Sequence, residues 1–297
     1  MIVDLSGFST GICDRLRQVT FCAVIAELQS DFLLEIYESM TIEGPYSIAE
    51  LLIIEGFKLR KLEKRPENYL RLTPHNSRIC ISTVRTYRPK NPNLSDNDFL
   101  LRWKLIYSKL KPKVNLLELY QKHSTHWMGR ETIGVHVRLS DRLSKWPAQG
   151  AITENQYRKF LKKKIPWIIR YAKANNYNVF LATDNLVSDE AVRGLLNDQV
   201  NLIEYRKRWA TNGSRNTDGH TFLCDLFGLS KCKVIFCTTG GGVPYTAALI
   251  GGIDEQSVHI WTEERLSDKA ILGFRKVVVY SRVGRIIKRI LEYFASR

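Results

Sequence analysis

Short apolar runs alternate along the chain with longer segments whose apolar residues recur at helical spacing. The first run, residues 2–5, is followed by a glycine-containing loop and then by residues 14–28, where apolar side chains lie three and four positions apart. This order predicts a β-strand, a loop and an α-helix. Residues 32–37 predict the next strand. Strand, loop, helix and strand together form the first unit of an α/β sheet.

A second series of predicted elements begins near Thr132. Strands are predicted at residues 133–137, 178–182, 200–204, 234–237 and 257–261, and helices at 100–110, 116–123, 156–174, 220–230, 243–250 and 282–295. Polar or glycine residues follow several of these strands directly. Alternation of strands and helices with such strand ends is typical of doubly wound folds, which bind ligands at the carboxyl ends of their strands.

Length and charge narrow the domain organisation and the class of partner. The chain has 297 residues, about twice the ~150 residues of a usual domain, so we expect two domains with a boundary near residue 127. A hydrophobic content of 44% and a charged content of 25% exclude a disordered or collagen-like chain. The net charge of +15 favours an anionic partner, which leaves open nucleic acid, an acidic membrane surface or a phosphorylated small molecule.

Cysteines and apolar segments indicate neither a structural zinc site nor a membrane span. Six cysteines occur without a CxxC pair, and Cys232 and Cys237 lie in apolar segments that predict core positions. The first residues lack the pattern of a secretory signal, and no apolar stretch approaches the ~20 residues that cross a bilayer. We therefore expect a soluble, cytoplasmic protein. The basic runs at 158–159, 162–164 and 205–209 are expected to be solvated faces, with attraction of a lipid-linked or phosphorylated acceptor as the alternative.

Candidate chemistry lies at four strand ends, residues 11–17, 136–142, 182–185 and 238–242. An arginine directly after a buried strand needs an anionic partner, and its forked donors fit phosphate oxygens. Arg138 and Arg142 are therefore candidates for binding a diphosphate, although Arg138 could instead pair with Asp141. Gly240 and Gly241 precede a predicted helix, whose N-terminal N–H groups would form a second anion site, although a plain loop is the alternative.

The four strand ends match, in order, the motifs of a known superfamily. The segment GVHVRLSD at 134–141 resembles the HxRR[TG]D signature of the superfamily that joins α1,2-, α1,6- and protein O-fucosyltransferases, and it is most similar to the α1,6 group with the nodulation enzymes. Residues 11–17 resemble the G-x-G-N-[QR]-L element, FLATD at 180–184 is similar to the corresponding strand end, and 222–232 resemble the D-x-x-x-L-S-x-C helix. Residues 238–242 stand at the T-x-S-S loop.

This resemblance implies a fold, a donor and a set of site residues. The fold is a GT-B glycosyltransferase with two Rossmann-like domains facing across a cleft: residues 1–127 on the acceptor side, 128–280 for the nucleotide sugar, and a C-terminal helix, 281–297, that crosses back. The donor is GDP-fucose, the reaction inverts the anomeric carbon, and no metal is expected. The residues assigned to substrate binding are His136, Arg138, Arg142, Asp184, Asp225, Thr238, Thr239, Gly240, Gly241, Gly11 and Arg15.

Catalysis is assigned to Arg138, with Asp14 and Asp141 as the carboxylates to test as general base. Either carboxylate could equally be the structural partner of a nearby arginine. The sequence departs from the signature at Leu139, where a second arginine is usual, and Arg142 could compensate. The predicted enzyme is thus a fucosyltransferase that modifies a glycan or glycoconjugate.

Three alternatives remain at this point. The donor could carry another GDP-linked deoxysugar, the chain could bind a GDP-sugar without turning it over, or, as the least favoured alternative, the basic chain could bind nucleic acid. The basic face of the final helix would also allow peripheral contact with a membrane.

Overall fold

The protein is described as a computed structural model, covering residues 1–5, 12–38, 47–65, 84, 94–113, 131–139, 142–144, 151–203, 205, 207 and 219–264. The predicted domain boundary at residue 127, the predicted helix at 116–123 and the C-terminal helix at 281–297 lie outside these residues. Across the described ranges, no helix combines the length and the apolar composition required to cross a bilayer.

The N-terminal half contains a three-stranded parallel sheet. Its strands β1 (Ile2–Asp4), β2 (Leu33–Tyr37) and β4 (Lys58–Leu62) lie in the order β1-β2-β4. Helix α1 (Ile12–Leu28) connects β1 to β2, which confirms the predicted strand, helix and strand. Nearly every side chain of α1 is buried, because the helix is covered by other elements on all sides.

Two further pairs of elements in the N-terminal half differ from the prediction. Helix α2 (Ile48–Leu51) is followed by β3 (Leu52–Ile54) in the connection between β2 and β4, and α3 (Asp96–Ser108) is followed by β5 (Leu110–Pro112). Helix α3 begins earlier than predicted because the Ser95 hydroxyl accepts a hydrogen bond of 3.1 Å from the Asp98 amide and so caps its first turn. Leu110 leaves the helix because β5 pairs antiparallel with β3.

The C-terminal half is built on a five-stranded parallel sheet in the order β10-β9-β6-β11-β12. The strands are β6 (Thr132–Val137), β9 (Asn178–Thr183), β10 (Leu202–Ile203), β11 (Val234–Cys237) and β12 (Val258–Ile260). A two-stranded ribbon of β7 (Leu143–Ser144) and β8 (Ile152–Thr153) accompanies it. Val137 stands opposite Thr183, and His136 stands opposite Cys237. The carboxyl ends of β6, β9 and β11 therefore meet at one edge of the sheet.

Helices cover this sheet, as the predicted α/β class requires. They are α4 (Glu154–Lys159), a π-turn (Phe160–Lys164), α5 (Ile165–Asn175), α6 (Leu186–Leu196), α7 (Gly219–Ser230), α8 (Gly242–Gly251) and α9 (Trp261–Glu264), with a 3-10 turn at Glu255–Ser257. The single helix predicted at 156–174 is thus continuous but widened by the π-turn. Helix α6 was not predicted, because its apolar residues do not form one clear stripe. Gly194 interrupts the helical pattern, and the apolar Val187 lies on the exposed side, where it is 76% exposed.

The two halves share a continuous apolar core. Helix α8 of the C-terminal half packs against α1 and α3 of the N-terminal half. Gly242 permits this close approach, because a Cβ at that position would lie 2.7 Å from the Cβ of Cys13. The Trp103 indole N–H also donates a 3.0 Å hydrogen bond to the Thr20 hydroxyl and fixes α3 on α1. The first turns of α1 and α8 consequently lie side by side.

Close packing of α7 on β9 gives a first testable prediction. A Cβ at Gly228 of α7 would lie 2.1 Å from the buried ring of Phe180, so Gly228→Ala forces that ring to move. We expect the free energy of unfolding in urea to fall by about 1–3 kcal/mol. Gly194→Ala is the matched control, because a Cβ there meets nothing within 4 Å, and it should raise stability by about 0.5–1 kcal/mol. A Gly228→Ala variant as stable as the wild type would contradict the described packing.

Candidate functional site

A cleft opens at the carboxyl edge of the five-stranded sheet. It is lined by His136, Arg138, Thr183, Asp184, Phe222, Asp225 and Val243. These residues come from the ends of β6 and β9, from α7 and from the first turn of α8. Four residues predicted for substrate binding, His136, Arg138, Asp184 and Asp225, thus lie together where a doubly wound sheet is expected to bind its ligand.

Arg138 follows β6 and lies against the glycine loop that begins α8. Its backbone N–H donates a 3.0 Å hydrogen bond to the Thr238 hydroxyl, which joins the ends of β6 and β11. A Cβ at Gly241 would lie only 3.3 Å from Nη1 of Arg138. The absence of a side chain at Gly241 therefore leaves room for the guanidinium beside the loop.

The loop before α8 lies beside Arg138, whereas the described lining of the cleft includes Val243 of the first turn of α8 and none of residues 238–241. Thr239 is buried, and its hydroxyl makes no hydrogen bond with the part of the chain that the structure describes. Gly241 precedes α8 without a side-chain cap, so the first N–H groups of this ten-residue helix lack one. These groups and the positive end of the helix dipole favour an anion near Val243.

Asp184 fixes the turn after β6. Its Oδ1 accepts a 3.0 Å hydrogen bond from the backbone N–H of Leu139. The Leu139 side chain is buried in the apolar cluster around β6, together with Ile152. The position at which the family signature has a second arginine is therefore a core position in this chain.

Asp225 projects from α7 into the cleft and is buried. Its Oδ1 accepts a hydrogen bond from the Tyr205 hydroxyl and lies 3.5 Å from the Lys207 ammonium. Oδ2 has no hydrogen-bond partner among the described residues. Burial raises the pKa of Asp225 to about 6, although Lys207 and the Tyr205 hydroxyl act in the opposite direction.

Lys207 is the centre of a buried network that the sequence analysis missed. Its side chain is only 3% exposed, and its Nζ lies 2.7 Å from the Thr183 hydroxyl and 3.1 Å from Oδ1 of Asp189. Asp189 also accepts a 3.0 Å hydrogen bond from Arg193. The expectation of a solvated face at residues 205–209 is therefore wrong for Lys207. No periodic pattern marks this lysine, because it stands in an irregular segment after β10.

His136 is neutral over the physiological range of pH. Burial, together with the smaller effects of the positive charges of Arg138 and Lys207, lowers the pKa of its imidazole to about 3. Its Nδ1 is buried and has no hydrogen-bond partner in the described part of the chain. The imidazole therefore offers a polar, uncharged edge in a region where Arg138 and Lys207 act on it with positive charge.

The structure places the remaining predicted residues elsewhere or leaves them undescribed. Asp14 is 38% exposed, and its Oδ1 accepts a 3.0 Å bond from Arg17, whereas Arg15 is buried and pairs with Glu38. Arg142 lies in the turn after β6 and is absent from the described lining of the cleft. Gly11 and Asp141 fall outside the described residues. Cys232 and Cys237 are buried, as predicted.

The buried imidazole gives a prediction about stability and pH. Because the folded-state pKa of His136 lies far below 6.5, the unfolded chain binds a proton that the folded chain excludes as the pH falls below 6.5. Between pH 7 and pH 5 this group should lower the unfolding free energy by about 2 kcal/mol. His136→Gln should remove that part of the acid sensitivity in urea unfolding measured by tryptophan fluorescence. Identical pH dependence in the two proteins would show that His136 is accessible to protons.

Comparison with known proteins identifies the fold. No protein-family model and no curated protein matches the sequence. Among solved structures, NodZ α1,6-fucosyltransferase soaked with GDP-fucose superposes with a TM-score of 0.51 and 19% identity, covering 84% of this chain and 91% of that one. The fucosyltransferase NodZ from Bradyrhizobium gives a TM-score of 0.51 and 17% identity over 84% and 92% of the two chains. The predicted resemblance to the α1,6 group is confirmed at the level of the fold, which is the α/β fold of NodZ.

Proposed function

We propose that this chain is a glycosyltransferase that takes fucose from GDP-fucose and transfers it to a hydroxyl of a glycan acceptor. One observation carries the proposal: Arg138, His136 and Asp225 line a single cleft at the carboxyl edge of a parallel sheet, in a chain that shares the fold of NodZ. NodZ has been crystallised with GDP and soaked with GDP-fucose. The cleft of this chain offers groups suited to each part of such a donor.

The diphosphate is assigned to Arg138 and the first turn of α8. The guanidinium lies beside Gly241, where the helix presents N–H groups without a side-chain cap. A planar guanidinium can donate two parallel hydrogen bonds to phosphate oxygens, and a helix N-terminus favours negative charge. His136 is neutral and so adds no counter-charge. The lowering of its pKa by both Arg138 and Lys207 indicates a positive potential in this part of the cleft.

The guanine base and its ribose are assigned to Asp225 and His136. Guanine carries neighbouring N–H donors at N1 and N2, and Oδ2 of Asp225 is an acceptor without a partner among the described residues. Adenine lacks that pair of donors, and a buried acceptor left without a donor is costly. Asp184 and residues 238–242 would complete the nucleotide site. This chemistry favours GDP over ADP and UDP.

Arg138 would act on the leaving group. As the bond between C1 of the sugar and the β-phosphate oxygen breaks, negative charge grows on that oxygen, and the acceptor hydroxyl attacks C1 from the opposite face. A fixed guanidinium stabilises this charge more in the transition state than in the ground state. We propose inversion at C1 without a divalent metal, with the hydroxyl proton passing to Asp14 or Asp141. The acceptor would enter from the N-terminal half across a GT-B cleft.

Nucleotide selectivity tests the proposed donor. A ligand present at 100 times its dissociation constant adds about 2.7 kcal/mol to the stability of the folded state. We expect GDP to raise the melting temperature, whereas ADP and UDP at the same concentration leave it nearly unchanged. Equal shifts with all three nucleotides, or no shift with any, would contradict a guanine site. Hydrolysis of several GDP-sugars then distinguishes fucose from another deoxysugar, and GDP binding without turnover would identify an inactive homologue.

Arg138→Ala tests the role of the guanidinium. We expect turnover of GDP-fucose to fall about a hundredfold or more, because one donor to the developing charge is lost. The matched control is Arg170→Ala, which removes an arginine from the exposed surface of α5 and should leave turnover unchanged. Initial rates of GDP release would measure both variants. Unaltered turnover in Arg138→Ala would exclude this arginine from the reaction.

A further inference from the structure

We propose that Lys207 is a positioning residue for the nucleobase, which acts by holding Asp225 as an ionised and oriented acceptor. This inference rests on the proposed function and adds a residue that lies behind the cleft. Lys207 is absent from the lining of the cleft that the described residues form. Its ammonium contacts two of the lining residues, the Thr183 hydroxyl at 2.7 Å and Oδ1 of Asp225 at 3.5 Å.

Geometry separates the two oxygens of Asp225 into different roles. Oδ1 faces the network, where it is contacted by the Lys207 ammonium and receives the hydrogen bond of the Tyr205 hydroxyl. Tyr205 is in turn fixed by stacking on Phe180 of β9, with ring centroids 6.0 Å apart. The carboxylate is therefore held from one side. Oδ2 remains as the acceptor for a donor entering the cleft.

The surroundings of Lys207 explain why Asp225 depends on its charge more than Asp189 does. The side chain is 3% exposed, and its ammonium lies within 4 Å of two carboxylates, those of Asp189 and Asp225. Asp189 has a second cationic partner in Arg193, 3.0 Å away. Asp225 has no such second cation within ion-pair distance among the described residues. Removing the charge of Lys207 would therefore affect Asp225 more than Asp189.

The charged and titratable groups around Asp225 come from several elements. They are Lys207 and Tyr205 from the segment after β10, Asp189 and Arg193 from α6, His136 and Arg138 from β6 and its end, Asp184 from the end of β9, and Cys224 on α7 itself. Burial raises the pKa of Asp225 to about 6, Lys207 and Tyr205 oppose that rise, and Asp189 adds to it. His136 stays neutral in this range of pH, because its pKa is lowered to about 3, mainly by burial.

These charges make the proposed effect of Lys207 on the affinity for GDP depend on pH. The ionised carboxylate accepts from guanine, so the affinity for GDP should decrease as the pH falls through about 6. Without Lys207 the pKa of Asp225 rises further, and the decrease should begin at a higher pH. Each unit of that rise reduces the ionised fraction by up to about tenfold on the acid side.

The experiment compares Lys207→Met with the wild type by calorimetric titration of GDP at pH 6.0 and pH 8.5. We expect the variant to bind about tenfold more weakly than the wild type at pH 6.0 and less than about twofold more weakly at pH 8.5. Methionine keeps the length of the buried chain, and Asp189 keeps Arg193 and Thr183. In an Asp225→Asn background, Lys207→Met should have the same effect at both pH values, because no carboxylate remains to titrate.

The outcomes distinguish failure of this inference from failure of the proposed function. Wild-type protein that binds no GDP at either pH overturns the proposed function. Wild-type binding with an equal loss of affinity for Lys207→Met at both pH values, or with no loss, overturns the role of Lys207 alone. If Lys207→Met lacks the near-ultraviolet circular dichroism of the folded protein, Tyr205→Phe takes its place. This variant removes the hydroxyl donor to Oδ1. It should lose less affinity for GDP than Lys207→Met, and the loss should again be greater at pH 6.0 than at pH 8.5. A loss of affinity that does not depend on pH overturns the proposal.

Discussion

One buried ammonium group constrains the edge of the sheet at which the cleft opens. Lys207 Nζ contacts Thr183 at the end of β9, Asp189 on α6 and Asp225 on α7. Isolated charges are costly in a protein interior, and each of these groups is tolerated because the others lie within reach. The network therefore ties together the elements that surround the cleft. Its placement of Asp225 determines which oxygen is presented to a ligand.

Two glycines, Gly228 and Gly242, allow the close packing of helices around that network. Gly228 lets α7 approach the Phe180 ring of β9, and the same ring stacks on Tyr205, which donates to Asp225. Gly242 similarly lets the first turn of α8 contact Cys13 of α1. These contacts hold α7, which carries Asp225, on β9 and hold the first turn of α8, beside Arg138, on α1. Selection of a base and stabilisation of a leaving diphosphate would thus depend on the same packed elements.

The sequence predicted the parts of the site that follow regular patterns. His136 and Arg138 end a strand with a clear apolar run, and parallel strands bring their carboxyl ends together, so their proximity to Asp184 could be predicted. Lys207 could not be predicted, because a lysine in an irregular, basic segment is normally solvated and only the tertiary structure buries it. A structural pairing of Asp14 with a nearby arginine was predicted as an alternative, and the structure shows that this arginine is Arg17, three residues further along α1.

A crystal structure of the protein with GDP tests the central claim most directly. We predict that the diphosphate oxygens lie within hydrogen-bond distance of the Arg138 guanidinium and the first turn of α8, and that the guanine N1 and N2 donate to Oδ2 of Asp225. A complex in which GDP binds away from this edge of the sheet, or in which Arg138 and Asp225 contact neither phosphate nor base, would contradict the proposed site.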